Sequence, residues 1–274
     1  MENRREALLD AMGVARYVRR GVAAEQPESM QTVLVAADHA ISPESDPLSS
    51  SQPTKNPAAR PAPPLRLQPA KVAEPAGQPA PAVPDRTALD WPELRATVAA
   101  CRLCNLCDSR AQTVFGVGDE HAAWMIVGEA PGADEDRQGE PFVGRAGQLL
   151  NAMLEAVGHP RATVYIANVL KCRPPANRDP LPEEVRQCLP NLHRQIELIS
   201  PQLILCVGRV AAQNLLGVDT PLSQLRGKVH RLGVAQRPVV VTYHPAYLLR
   251  TPSEKRKAWV DLKFALEVAN GCRT

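Results

Sequence analysis

Along residues 88–274, short continuous apolar runs alternate with stretches in which apolar positions recur every three or four residues. The runs AAWMIVG, TVYIANV, QLILCVG and PVVVTYH predict four strands buried on both faces. Helical periodicity covers about residues 144–157, 182–199, 209–216 and 253–269. Gly158 and Gly217 stand where the first and third of these helices need a stop. Strands that alternate with helices in this way imply an open parallel sheet covered by helices on both sides. Ligands of such sheets lie outside the carboxyl ends of the strands. Here those ends are Gly128-Glu129, Asn168, Gly208-Arg209 and His244, four separate segments brought to one crevice.

Upstream the pattern is lost. Residues 1–22 carry one helical stretch, with Leu8, Leu9, Met12, Val14 and Ala15 among Arg and Glu. Its role is unknown; a docking helix for a protein partner and a solvated helix both fit. Residues 23–87 include twelve prolines between Pro43 and Pro84, mixed with Ala, Ser and Gln. Proline fixes φ and donates no backbone hydrogen bond, so a disordered, extended Pro/Ala-rich linker is expected there. The folded domain is expected over 88–274. No apolar run approaches the roughly 20 residues of a membrane span. The opening MENRREALLDAMG lacks the apolar stretch of a secretory signal. A cytoplasmic monomer without a membrane partner is therefore expected.

The first 86 residues hold ten basic and ten acidic side chains, so the net charge of +3 resides in the remainder. Between Thr220 and Val260, eight Lys and Arg stand against one acid, Glu254. Arg226, Lys228, Arg231, Arg250, Lys255, Arg256 and Lys257 have the sign to follow a phosphate backbone, although a solvated basic face has the same composition. The first strand leads into MIVGEAPGADEDRQGEPFVGRAGQ. This is a glycine-rich strand-to-helix layout of the kind that cradles phosphate. It carries Glu129, Asp134, Glu135, Asp136 and Glu140, with only Arg137 against them before the helix. A polyanion on the basic rim and an uncharged group in an acidic pocket satisfy both halves of this charge map.

Seven cysteines in a chain read as cytoplasmic point to thiols or metal ligands and not to a disulfide framework. Cys101 and Cys104 form a tight chelating pair in CRLCNLC, and Cys172 and Cys188 bound the run CRPPANRDPLPEEVRQC. Four thiolates suit zinc or an iron–sulphur cluster, and spacing does not choose between them. Cys107 adds a second legal pair with Cys104. Cys206, inside LILCVG, reads as a buried thiol, and Cys272 as incidental.

The blocks CRLC, VGEAPGADEDRQGEPFVGRAGQLLNAML, YIANVLKCRPPANRDP, CLPNL, LRGKVH and HPAYLLR together resemble the family 4 uracil-DNA glycosylases, iron–sulphur enzymes of the uracil-DNA glycosylase superfamily. The likeness runs over about residues 94–266 and excludes the first 86. It implies a three-layer α/β/α sandwich with a four-stranded, mainly parallel sheet. It also implies a structural [4Fe-4S] cluster on Cys101, Cys104, Cys172 and Cys188, with Cys107 a departure from the simplest pattern. The implied partner is uracil-containing DNA, single- or double-stranded. The implied reaction hydrolyses the N-glycosidic bond of a flipped-out uracil, leaving free base and an abasic site at the start of base-excision repair.

By the same resemblance, Phe142 stacks on the uracil ring and Asn168 reads its Watson–Crick edge, accepting from N3–H and donating to O4. His244 donates to O2 as charge builds on the leaving base. Gly128, Ala130 and Glu135 line the pocket, with Gly128 and Gly132 letting backbone approach the base. Better-known relatives carry an aspartate at the place of Ala130. Glu129 is the nearest carboxylate here, and is expected to orient water and stabilise a cationic sugar. Leu248, with Leu249, is expected to wedge into the vacated base stack. Arg250, Arg226 and Lys228 are expected on the DNA backbone. Without the resemblance, these residues read as core, cap or surface positions. An iron–sulphur electron-transfer protein and a non-catalytic DNA-binding module of the same fold are the alternative classes.

Overall fold

A computed structural model describes residues 85–271. The expected amino-terminal helix, the linker up to residue 84 and Cys272 lie outside the described residues. In chain order the elements are α1 (Trp91–Ala99), α2 (Leu106–Ser109), β1 (Val117–Gly118), β2 (Trp124–Gly128), α3 (Ala133–Gln138), α4 (Arg145–Ala156), β3 (Val164–Asn168), α5 (Pro182–Ile199), β4 (Leu203–Val207), α6 (Arg209–Leu216), α7 (Leu222–Leu225), β5 (His230–Leu232), β6 (Arg237–Thr242), α8 (Pro245–Arg250) and α9 (Lys255–Ala269).

The sheet order is β1-β3-β2-β4-β6-β5. The four predicted strands form its parallel centre. The expected four-stranded sheet is nevertheless corrected to six, because β1 and β5 add short antiparallel edges. These two edges, VG and HRL, are too short to show a period in the sequence. The chain passes from β2 to β3 on one side and then to β4 on the other. The reversal of strand order therefore lies at the carboxyl end of β2, at Gly128.

Every residue of β2, β3 and β4 is buried, as helices on both faces require. Alternate side chains feed two cores. Trp124, Ile126, Ile166 and Leu205 pack with Leu150, Met153 and Leu154 of α4 and Leu262 of α9. Met125, Val127, Tyr165 and Cys206 pack with Leu192 and Ile196 of α5 and Leu215 of α6. Each fully buried Leu or Ile contributes roughly 1.5–3 kcal/mol. Helix α5 starts with Pro182 in its first turn and with Glu184 accepting the Leu181 N–H at 2.8 Å. It stops at Ser200 in the left-handed region, followed by Pro201. Gly158 and Gly217 are both left-handed, as expected of helix stops. The packed unit also reaches back past the expected boundary at residue 88. Arg86 is buried, and its Nε donates to Asn191 Oδ1 at 2.9 Å.

Candidate active site

Beyond the carboxyl ends of the central strands lies a cavity of about 420 Å³, lined among others by Glu129, Ala130, Glu135, Phe142, Asn168 and His244. Three of the four predicted strand ends therefore meet there. The fourth acts from behind: the backbone of Gly208 passes His244, and Arg209 pairs with the cavity residue Asp179 at 3.0 Å. Pro174, Asn177, Arg178 and Asp179 form a wall that sequence reasoning did not assign, and Tyr247 adds another unassigned side chain. Their signal was present, since they fall inside the blocks YIANVLKCRPPANRDP and HPAYLLR.

Sheet register sets Gly128 directly beside Asn168. A Cβ at Gly128 would lie 2.3 Å from Asn168 Oδ1 and 2.7 Å from the Phe142 ring, so only glycine lets these two side chains close over the strand. Asn168 is buried, and its Oδ1 has no hydrogen-bond partner among the described residues. An acceptor left in that state costs about 1–3 kcal/mol, which a donor on a ligand recovers. The Asn168 carbonyl is fixed from below by the buried Lys171, whose Nζ donates to it at 2.9 Å and to Gln195 Oε1 at 2.6 Å.

Phe142 is buried, with its ring centroid 5.7 Å from that of His244. Its φ of 55° is left-handed, at a cost of about 1–2 kcal/mol for a residue with a side chain. Glu135 helps to hold this conformation. Its Oε1 accepts the N–H groups of Val143 and Gly144 at 3.0 and 3.2 Å, and its Oε2 accepts that of Gly132 at 3.1 Å. Glu135 lines the cavity, and both of its oxygens are engaged by the loop. Part of the acidic loop is helix α3. Asp136 ties it to the segment after the first cysteines by accepting the Ala111 N–H at 3.0 Å.

Glu129 differs from Glu135 in having no backbone donors on its carboxylate among the described residues. Burial, reinforced by the negative Asp179 and opposed by Arg209, pushes its pKa up to about 7. His244 moves the other way. Burial, helped by the Arg250 cation and opposed by Glu135, pushes it down to about 4. It also caps α8: its Nδ1 accepts the Ala246 N–H at 3.1 Å. With Nδ1 an acceptor and the ring neutral, the proton resides on Nε2, which is thus a donor.

Two expected DNA contacts are corrected. Leu248 is 1% exposed and packs in the core beneath α8, so it is not a wedge; Leu249 is partly buried against the same core. Arg226 is not a free rim cation either. Its Nε and Nη2 donate to the two oxygens of the buried Asp261 at 2.7 and 3.0 Å, and its guanidinium lies 4.2 Å from the Tyr243 ring centroid. Thr242 Oγ1 donates to the same carboxylate at 2.8 Å. Arg226→Ala strands this buried charge and is expected to lower stability by about 3 kcal/mol, read as a fall in Tm. A loss confined to DNA affinity would contradict the assignment. Arg250 is exposed at the cavity mouth, and Lys228 is exposed on the surface.

A second, small cavity is lined by Cys101, Cys104, Cys107, Cys172 and Cys188, together with Arg110 and Lys171. Arg110 Nη1 donates to Cys172 Sγ at 3.0 Å and the Lys171 N–H to Cys188 Sγ at 3.2 Å. No three His, Cys, Asp or Glu among the described residues are gathered as a site for one metal ion. Five thiols around one cavity suit a multi-metal cluster bound through sulphur, and the two cations beside them offset the negative charge of the thiolates. Cys107 faces the same space as the four predicted ligands. Cys206 is fully buried in the sheet, and burial pushes its thiol up to about 12, as befits an inert core cysteine. No helix among the described residues is long and apolar enough to cross a membrane.

The sequence model of the Uracil DNA glycosylase superfamily matches residues 115–263. The chain is 49% identical over 173 residues to the type-4 uracil-DNA glycosylase of Archaeoglobus fulgidus, covering 61% of this chain and 86% of that relative. Identity to the type-4 enzyme of Pyrobaculum aerophilum is 41% over 180 residues, covering 64% and 92%. To that of Thermotoga maritima it is 42% over 160 residues, covering 58% and 82%.

Proposed function

The chain belongs to the type-4 uracil-DNA glycosylases of the uracil-DNA glycosylase superfamily, and on that premise we propose the residues with which it cuts uracil from DNA. The flipped uracil enters the cavity and lies against the Phe142 ring. Asn168 Oδ1 accepts from N3–H while its amide donates to O4. Cytosine presents an acceptor at N3 and a donor at N4, so the same amide opposes it at both atoms. The buried Oδ1 of Asn168, without a partner among the described residues, is the observation that carries this reading, because it calls for a donor such as uracil N3–H.

As the N1–C1′ bond breaks, its electron pair leaves with uracil. Negative charge then grows on O2, where the neutral His244 donates from Nε2. Positive charge grows on the sugar, where the Glu129 carboxylate stabilises it. Glu129 also takes a proton from the water whose oxygen joins C1′. Of the two glutamates that line the cavity, Glu129 is assigned this role because Glu135 is committed to three N–H groups. Arg250 and Lys228 hold the DNA backbone.

Cys101, Cys104, Cys172 and Cys188 would hold a [4Fe-4S] cluster, as the likeness to type-4 enzymes implies. When bound, it supplies a structural cross-link and no chemistry at the base. Arg110 and Lys171 offset the charge of the thiolates. The ligands Cys172 and Cys188 bracket the cavity wall of Pro174, Asn177, Arg178 and Asp179, so bracing them braces the wall.

The overall reading is tested by incubating the full chain with a uracil-bearing oligonucleotide and revealing abasic sites by alkali. Cleavage at uracil supports it, and an intact strand rejects it. The role of Glu129 is tested by pH. For the parent, kcat/KM should rise through about pH 7 as Glu129 loses its proton. Glu129→Gln should flatten that limb and lower the plateau by about 10²-fold or more. An unchanged limb in the variant would remove Glu129 from the role.

A further inference from the structure

We infer that Arg161 is a positioning residue for base recognition, its guanidinium holding the 141–142 carbonyls so that the Phe142 ring keeps the attitude in which it meets the base. This rests on the reading of Phe142 as the base platform. Arg161 opens the short turn before β3 and is not among the cavity-lining residues. Its Nη2 donates to the Pro141 carbonyl at 2.7 Å. Its Nη1 donates to the Phe142 carbonyl at 3.3 Å and to Asn151 Oδ1 at 3.4 Å. The carboxylate of Glu140 approaches the same group at 4.0 Å.

The geometry explains why a charged fork is needed. Phe142 holds a left-handed backbone that its side chain disfavours. Glu135 restrains the N–H groups that follow it, and Arg161 restrains the carbonyls at and before it. Helix α4 closes the third side: a Cβ on Gly147 would fall 1.8 Å from the Phe142 carbonyl oxygen. Without Arg161, the Phe142 carbonyl loses its side-chain donor, and its peptide is free to turn toward an ordinary conformation. The ring would turn with it. Lysine offers a point charge without the planar fork, so it satisfies this arrangement in part.

The test is a double-mutant cycle on the full, cluster-loaded enzyme, with Phe142→Ala, Arg161→Ala and the combined variant. The readouts are KM and kcat on a uracil oligonucleotide, and inhibition by free uracil. Arg161→Ala is expected to weaken uracil inhibition and raise KM by about tenfold, with a smaller change in kcat. Arg161→Lys should recover part of the loss. In the Phe142→Ala background, Arg161→Ala should add nothing, because the ring it positions is gone. Effects that multiply in the combined variant, or parental uracil inhibition in Arg161→Ala, would overturn the inference while leaving the pocket intact. Parental inhibition in Phe142→Ala would instead overturn the pocket reading, and this inference with it. If the alanine variant does not fold, Arg161→Lys and Arg161→Gln carry the same cycle with the same criteria.

Discussion

Asn168→Ala is expected to lower kcat/KM for uracil excision by about 10³-fold while leaving the melting temperature unchanged or higher. The two halves of this expectation have one cause. The Asn168 side chain is buried beside Gly128, and its Oδ1 has no hydrogen-bond partner among the described residues. Removing it relieves a desolvated acceptor and extends an existing cavity, so stability has little to lose. Recognition loses both polar contacts to the base edge. The Asn168 backbone stays anchored by Lys171, which does not depend on the side chain. Steady-state excision assays and a thermal melt on the same preparation check both halves. A large drop in Tm with activity retained would make Asn168 a structural residue.

The second large effect is at His244, where substitution separates two roles of one ring. His244→Ala removes the Nε2 donor and is expected to slow excision by about 10²–10³-fold. It also removes the cap on the Ala246 N–H, at about 1 kcal/mol. His244→Asn supplies an acceptor for that N–H from a shorter side chain that does not reach the base. It should regain the lost stability and none of the rate. Because the imidazole is already pushed down to about 4, it stays neutral over about pH 5–9, and no limb of the profile in that range should belong to it. A limb near the ordinary histidine value that vanishes in His244→Asn would contradict a neutral donor.

Much of the fold was legible because the central strands are buried on both faces and so appear as unbroken apolar runs between amphipathic helices. The edges β1 and β5 were not, being two and three residues long. Helix α3 was hidden because ADEDRQ is polar at every position after Ala133 and reads as loop. The positions of Asn168 and His244 followed from the strand-end rule, while their roles came from likeness to a known family. Where sequence reasoning erred, the deciding partner was remote or the element was too short to show a period. Arg226 is neutralised by Asp261, 35 residues away. Leu248 belongs to the core because α8 turns that face inward, which a six-residue helix does not reveal by periodicity. Glu129 and Glu135 look alike in the sequence. The start of α3 and the turn into α4 aim three N–H groups at Glu135 alone.

The most direct measurement of the central claim is a crystal structure of the protein soaked with free uracil. Uracil N3 should lie within about 3 Å of Asn168 Oδ1, with the ring over Phe142 and O2 toward His244 Nε2. Uracil bound elsewhere, or bound in this cavity with Asn168 Oδ1 still unpaired, would contradict it.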